Sequence, residues 1–409
     1  MKVLFVSTCY APNEIGGAEI NVRLLAEALV AQGHEVVTVS LAPDGVARTA
    51  ELNGVRCHYL PLANIYWPHA KGLRPGLLGK MIWYLIDAYN PVMGARLARV
   101  IAAERPDVAN FHNLQGFSVA AWNAAWRLGV PIVQSVQDYY LGCCTSVMYA
   151  RGRNCQIPCF SCRIYGLPRR VLSGRPRVIT SLSRRMLARL EGAGLFRRQS
   201  DKRIIFGCNA PAEPPARRPR RAPGEPIRFG FLGRLEPVKG IETLLAAMPR
   251  EHATLLVGGG GDPAYVDGLR RAFPAGAKSF LGRVEPSGFL QSIDALVVPS
   301  LWEEPLGRVI HEAYALGVPV IASRLGGIPE IVEEGVTGWL FPAGDAAALG
   351  AILRRLADEG IPAAAFDACV ASSRRFALDA ICAQYLAAYE RAIGMEKTDG
   401  VGNRAAAAQ

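Results

Sequence analysis

The 409-residue sequence has no apolar run approaching the ~20 residues of a membrane-crossing helix. Its opening, MKVLFVSTCYAP, has one lysine and a short apolar run, but no long h-region and no small-residue cleavage site. A first β-strand is expected there instead of a secretory signal, in a cytoplasmic protein. Disulfides are then not expected among the ten cysteines. There is no short tandem repeat. No G-x-G-x-x-G follows the first apolar run, and no acid sits at the dinucleotide position after the second, so a dinucleotide domain is not indicated. Acidic residues are scarce in one stretch: residues 151–203 hold 2, against 14 Lys+Arg. Elsewhere the balance is close, 11 basic to 10 acidic before that stretch and 21 to 23 after it. One segment therefore carries the net charge of +11.

Such a patch seeks an anionic partner, or else is a solvated arginine-rich surface. Aromatics are few in it and no RNA-binding motif is present, which counts against nucleic acid. A membrane face of anionic lipid is the expected partner, through Arg169, Arg170, Arg184 and Arg185 among others, each contributing about 1 kcal/mol. Five cysteines cluster just before and within it, in GCC and CQIPCFSC. Cys143, Cys155, Cys159 and Cys162 can be read as a four-thiolate structural zinc site, or as a packed cluster of reduced thiols.

Half of the residues are apolar and a fifth charged, a globular composition, and the length suggests two or three domains. KVLFVST is a strand by composition. GGAEINVRLLAEALVAQGH has apolar residues at helical spacing and Gly33 as a stop, and EVVTVSL is the next strand. This βαβ alternation predicts a parallel sheet. DVANFH, PIVQSV and KRIIFG continue it as strands, with helices over 95–105, FSVAAWNAAWRLGV and SRRMLARLEGAGL. PAEPPARRPRRAPGEP, residues 211–226, reads as a surface loop at a boundary. A second alternation follows: strands IRFGFLGR, ATLLVGGG, ALVVPS and PVIAS, with helices GIETLLAAM, AYVDGLRRAF, one after Pro305, PEIVEEG and 346–357. The expected division is 1–205, with a helix over 376–394 packing back on it, then 206–375, and a flexible tail over 395–409. The fold class is α/β, two facing Rossmann-like lobes with strand C-termini turned to one cleft, where ligands of open parallel sheets bind.

The residues with chemistry fall at those strand ends. WEEPLGRVIHEAYALGVPVIAS, residues 302–323, places Glu304 and Glu312 eight apart around a helix start. Eight helical residues span roughly 12 Å. A glycosidase keeps its paired acids about 5–9 Å apart, so these two read as separate contacts on one extended ligand. The helix N-terminus between them suits a phosphate. FLGRLEPVKG puts Arg234 and Lys239 where a forked and a point cation can clamp a diphosphate. Gly16 and Gly17 precede a helix and allow close backbone approach. His112 ends DVANFH, and Gln137-Asp138 follows PIVQSV.

The order GGAE, FHNLQG, QDYY, GRLEPVKG, EPLGRVIHEA, GGIPEIV resembles the retaining GT-B glycosyltransferases of family 4 over nearly the whole chain. The resemblance implies that the C-terminal lobe holds a nucleoside-diphosphate sugar without a catalytic metal or other cofactor. It implies that Glu312 binds the ribose hydroxyls, Glu304 the donor sugar, and backbone N–H groups near Leu306, Gly307 and Arg308 a phosphate or the sugar. Arg234 and Lys239 take the diphosphate, and Gly16 and Gly17 border donor and acceptor. His112 and Asp138 join the catalytic set. The sequence departs from the family in one pair: many members have His-Asp where Gln137-Asp138 stands here. Glutamine hydrogen-bonds a sugar hydroxyl but carries no proton near neutral pH. A glycan or lipid-linked acceptor on the first lobe, at the inner face of the plasma membrane, completes the expectation. Its rivals are a sugar-nucleotide epimerase on the same fold and a non-catalytic membrane- or anion-binding module.

Overall fold

Val3 to Val6 are all buried, as in a strand covered on both faces, and this run starts the first sheet. The computed structural model describes residues 1–14, 16–70, 75–210, 225–273 and 278–406, with side chains as far as 395. Residues 211–224 of the expected boundary loop lie outside the described residues. The elements run β1 (Lys2–Val6), α1 (Gly17–Ala31), β2 (Glu35–Ala42), β3 (Arg48–Leu52), β4 (Val55–Pro61), α2 (Leu77–Ala88), α3 (Pro91–Glu104), β5 (Val108–Phe111), α4 (Ala120–Arg127) and β6 (Ile132–Val136). A hairpin, β7 (Tyr149–Ala150) and β8 (Arg153–Asn154), precedes α5 (Phe160–Tyr165), α6 (Leu167–Leu172), β9 (Val178–Ser181), α7 (Arg184–Gly192) and β10 (Asp201–Ile204). Then come β11 (Ile227–Leu232), α8 (Ile241–Ala247), β12 (Ala253–Gly258), α9 (Pro263–Ala272), β13 (Lys278–Gly282), α10 (Pro286–Ser292), β14 (Ala295–Val298) and α11 (Arg308–Ala315). The last are β15 (Val320–Ser323), β16 (Gly338–Phe341), α12 (Ala346–Glu359), α13 (Ala364–Ser373) and α14 (Leu378–Ala406).

These elements form two units. The first comprises Met1–Met148, Cys155–Cys208 and Leu378–Gln409; the second comprises Tyr149–Asn154 and Asn209–Ala377. The hairpin of β7 and β8 thus belongs to the second unit, although its flanks belong to the first. No composition shift in the sequence marks this exchange. The first sheet has the order β10-β9-β6-β5-β1-β2-β4-β3, parallel except for β3, which runs antiparallel to β4. The second has the order β13-β12-β11-β14-β15-β16, parallel throughout. Strand order reverses between β1 and β5 in one and between β11 and β14 in the other. The loops leaving these strand ends diverge and leave room for a ligand.

α14 packs on the first sheet through Ile381, Tyr385, Ala388 and Tyr389. Beneath it Asn110 Nδ2 donates to Tyr389 Oη at 2.7 Å, Ser135 Oγ to Asn110 Oδ1 at 2.8 Å, and Thr180 Oγ1 to Ser135 Oγ at 3.0 Å. A polar chain across three buried strands is thereby satisfied, as burial requires.

Two expectations are corrected. PEIVEEG is not a helix but one 3-10 turn, Ile328–Glu330. Glu333 N donates to Thr337 Oγ1 and Thr337 N to Glu333 O, which turns the chain into β16 before a second helical turn forms. The stretch 395–409 is not a loose tail up to Ala406, because α14 continues that far. Elongating an established helix costs little. Tyr389→Ala should lower the stability of the first unit by about 3–5 kcal/mol. Tyr389→Phe should lower it by about 1–3 kcal/mol, by stranding the Asn110 donor. Urea unfolding followed by amide exchange on β5 and β6 would read both.

Candidate active site

In the second unit one carboxylate oxygen joins two loops. Glu304 is buried, and its Oε1 accepts from Lys239 Nζ at 2.6 Å, Ser300 Oγ at 2.8 Å and Trp302 Nε1 at 2.9 Å. Lys239 follows β11 and Glu304 follows β14, so the pair bridges the reversal point of the sheet. The Lys239 ammonium also lies 5.3 Å from the Trp302 ring centre. Gly240 ends the turn behind Lys239 at φ +69°, where a Cβ would overlap Pro299 O. Gly326, after β15, has φ +63°, and a Cβ there would overlap the Glu304 backbone; Gly327 N donates to Glu304 O at 2.8 Å. Both glycines are thus required for the loops to close around the acid. Asn154 of the hairpin clamps the same loop: its Nδ2 donates to Leu301 O and its Oδ1 accepts from Glu303 N, each at 2.9 Å.

Pro305 does not open the helix. Gly307, at φ +90°, is its N-cap, and α11 begins at Arg308. Leu306 is buried beside this start. Glu312 lies in the second turn and pairs with Arg308, Nε to Oε1 at 2.6 Å, an i,i+4 pair. It does not join the Glu304 cluster. Arg234 pairs with Glu236 at 2.9 Å on the exposed side of its loop.

In the first unit, His112 and Asn113 follow β5 and Gln137-Asp138 follow β6, next to its reversal point. Gln137 Nε2 lies 3.2 Å from His112 Nδ1. Burial pushes the imidazole down to about 3, so it is neutral. With Nδ1 accepting, Nε2 carries the proton. His112 Nε2 and Gln137 Oε1 have no hydrogen-bond partner among the described residues. A donor and an acceptor are thus unspent side by side. Asp138 accepts from Asn113 Nδ2 at 2.6 Å and Tyr140 N at 2.8 Å; burial pushes its carboxyl up to about 6 despite the Tyr140 bond. At Gly16 the backbone is extended, and a Cβ would meet nothing nearer than the Glu19 carboxylate at 3.6 Å. The chain itself therefore does not demand glycine there. Gly17 is the first residue of α1. Asn113, Ser300 and Trp302 flank residues that the sequence singles out and are legible beside them; Asn154 has no such signal.

The cysteines do not form the expected four-thiolate set. Cys143 Sγ and Cys162 Sγ meet at 3.9 Å, Cys159 caps α5 and is exposed, and Cys155 is half-buried. Among the described residues no group of three or more His, Cys, Asp or Glu stands as metal ligands. Cys159, at the N-cap of α5, is exposed, while Cys162 inside α5 is buried. Arg169 is corrected too: it is buried, not a surface contact.

Residues 226–359 match the family described as glycosyl transferases group 1, and residues 16–205 match a glycosyl transferase 4-like domain. A relative from the Klebsiella pneumoniae cps region, a 42.6 kDa protein, is 30% identical over 81% of this chain and 87% of its own. The chain is a group 1 glycosyltransferase. A Mycobacterium tuberculosis glycogen synthase is 28% identical to this glycosyltransferase over 93% of this chain and 91% of its own. Among solved structures, sucrose-phosphate synthase of Thermosynechococcus elongatus superimposes with TM-score 0.75 at 21% identity, covering 96% of this chain and 99% of the other. Anabaena HepE in complex with UDP-glucose gives 0.68 at 19% identity, over 95% and 99%. These two share the GT-B fold with the glycosyltransferase. Among its described residues no helix is long and apolar enough to cross a membrane.

A carboxyl raised by folding binds its proton more tightly in the folded chain. Its contribution to stability is full below the ordinary carboxylate range and is lost as pH rises through about 6 for Asp138. Asp138→Asn should therefore flatten the fall in urea midpoint between about pH 4 and pH 7. Of the clustered thiols Cys159 should alkylate first. It is exposed, and hydrogen bonds from Ser161 and the Cys162 backbone outweigh its partial burial to bring the thiol down. Timed iodoacetamide labelling with peptide mapping would check this.

Proposed function

We propose that this glycosyltransferase moves a hexosyl group, with retention, from a nucleoside-diphosphate sugar to a glycan or lipid-linked acceptor in cell-surface polysaccharide synthesis. The observation that carries this is the half-buried Lys239–Glu304 pair at the reversal point of the second sheet, with α11 starting directly behind it. Support for the setting comes from the Klebsiella relative of the cps region, and for the donor class from the UDP-glucose complex of HepE.

In this reading Glu304 receives the donor sugar and Glu312 the ribose hydroxyls. The charge that grows as the diphosphate leaves is met by Lys239, Arg234 and the backbone N–H groups at Leu306, Gly307 and Arg308. Both cations are paired with a carboxylate, Arg234 with Glu236 and Lys239 with Glu304. A diphosphate competes for them with two charges and several acceptor oxygens. The acceptor hydroxyl attacks from the side the leaving group departs and passes its proton to a phosphate oxygen. The neutral His112 and Gln137, with one donor and one acceptor unspent, suit a sugar hydroxyl, which both donates and accepts. Gly16 and Gly17 leave the start of α1 open to the donor and acceptor, and Asp138 holds Asn113 and the Tyr140 backbone in place. No metal is needed at the diphosphate, and the membrane partner is an anionic lipid surface met by residues 151–203.

Hydrolysis of a panel of nucleotide sugars identifies the donor. Glu312→Ala should weaken nucleoside diphosphate binding more than Glu304→Gln does, while both abolish transfer. Lys239→Ala should slow turnover by the order of 10² or more. Activity should survive EDTA. Equal nucleotide affinity in the two glutamate variants, or activity that chelation removes and Mg²⁺ restores, would refute the assignment.

A further inference from the structure

We propose that the outer side of α2, α5 and α6 is a membrane-insertion surface, an apolar crest that enters the headgroup region of an anionic bilayer. This deepens the reading above by naming the surface that meets the lipid, and its physics is independent of that reading. α2 buries Trp83, Asp87 and Ala88, as an inner face should, but its outer face is apolar as well. Leu77 is 77% exposed, Leu78 70% and Leu85 64%. A surface helix facing water carries polar residues outward. The next two helices are inverted. α6 buries Arg169 and exposes Val171, and α5 buries Cys162 and exposes Ile164 and Phe160, the last at 79%.

The inversion is fixed, not loose packing. Asp87 of α2 accepts from Gly116 N at 2.6 Å and Tyr140 Oη at 2.7 Å, and meets Arg169 Nη2 of α6 at 3.4 Å. The same guanidinium donates to Tyr140 O and lies 4.0 Å from the Tyr140 ring centre. Rotating α2 or α6 to hide its apolar side would pull this buried ion pair apart, and breaking such a pair is strongly unfavourable. α2 packs against both α5 and α6, with the Tyr84 and Tyr165 rings 5.9 Å apart, so the exposed faces adjoin.

Charge selects the occupant. Residues 155–190 contain eight arginines and no acid, and the one acid of α2 is Asp87, which is buried. Lys80 and Arg163 are exposed among the apolar residues. A second copy would bring one cationic rim against another, which repels. A bilayer with anionic headgroups accepts both parts: acyl chains take the leucines and the phenylalanine, and headgroups take the cations.

The test is flotation of the full chain with phosphatidylcholine vesicles, with and without phosphatidylglycerol. The wild-type chain should bind the anionic vesicles. Binding should weaken but persist when salt shortens the screening length to ~3 Å at 1 M, because apolar insertion is not screened. Leu78→Gln, Leu85→Gln and Phe160→Ser together should reduce binding about tenfold or more, since each removes a buried apolar contact. Lys80→Gln with Arg163→Gln should reduce it at low salt and make it less salt-dependent. Neither variant should change donor hydrolysis, which also shows that both are folded. A Phe160→Trp reporter should be quenched by brominated acyl chains. Failure of the wild-type chain to bind anionic vesicles would overturn the proposal. So would equal binding of the triple variant, or a wild-type dimer that the triple variant alone dissociates. Vesicle binding without hydrolysis of any nucleotide sugar would sustain the crest and overturn the glycosyltransfer reading.

Discussion

A lysine ammonium on a buried glutamate, at the one place where the second sheet changes direction, is the constraint on which the loops around it are built. Glu304 is desolvated, and an ionised carboxylate there needs compensation. Lys239 supplies the charge, and Ser300 and Trp302 supply hydrogen bonds to the same oxygen. The loops after β11, β14 and β15 must therefore converge closely. Backbone then presses on backbone, and Gly240 and Gly326 become the only residues that fit. Loop conformation here follows from an electrostatic requirement, not from loop composition.

The first unit solves a different problem with different means. Its strand ends present a neutral imidazole, a side-chain amide and a carboxyl held between two donors. Burial keeps His112 uncharged, so the pair with Gln137 is a hydrogen-bonding device with no net charge. A hydroxyl ligand is bound well by such groups, whereas a diphosphate needs the cations of the second unit. The two strand-end clusters thus differ in kind, one built on neutral hydrogen-bonding groups and the other on an ion pair.

Much of this was readable in the sequence. Short uninterrupted runs such as VLFV and ALVV, rich in β-branched residues, mark central parallel strands covered on both faces. The Glu304–Lys239 pair was legible because an acid and a cation after strand ends have few structural reasons to be there, whereas Glu312 lies in the second turn of α11. What was not legible has physical causes. β3 and β13 have mixed burial, so their patterns are weak. α2 carries exposed leucines on its outer side, so its apolar residues do not mark the face it buries. Arg169 looks like its exposed neighbours until Asp87, far away in the chain, is brought beside it. The cysteine spacing fits a metal knuckle in one dimension, but the turn at the start of α5 points Cys159 outward.

The hairpin of β7 and β8 alters what counts as a module. The two family matches, 16–205 and 226–359, suggest halves that evolution could exchange by a single crossover in the linker. Yet Asn154, from inside the first match, holds the backbone of Leu301 and Glu303 inside the second. A recombinant that inherits its front half from one ancestor and its back half from another receives a loop after β14 shaped for a clamp it no longer carries. Inheritance of the shape of the loop around Glu304 is therefore tied to six residues that sit, in linear order, inside the first family match.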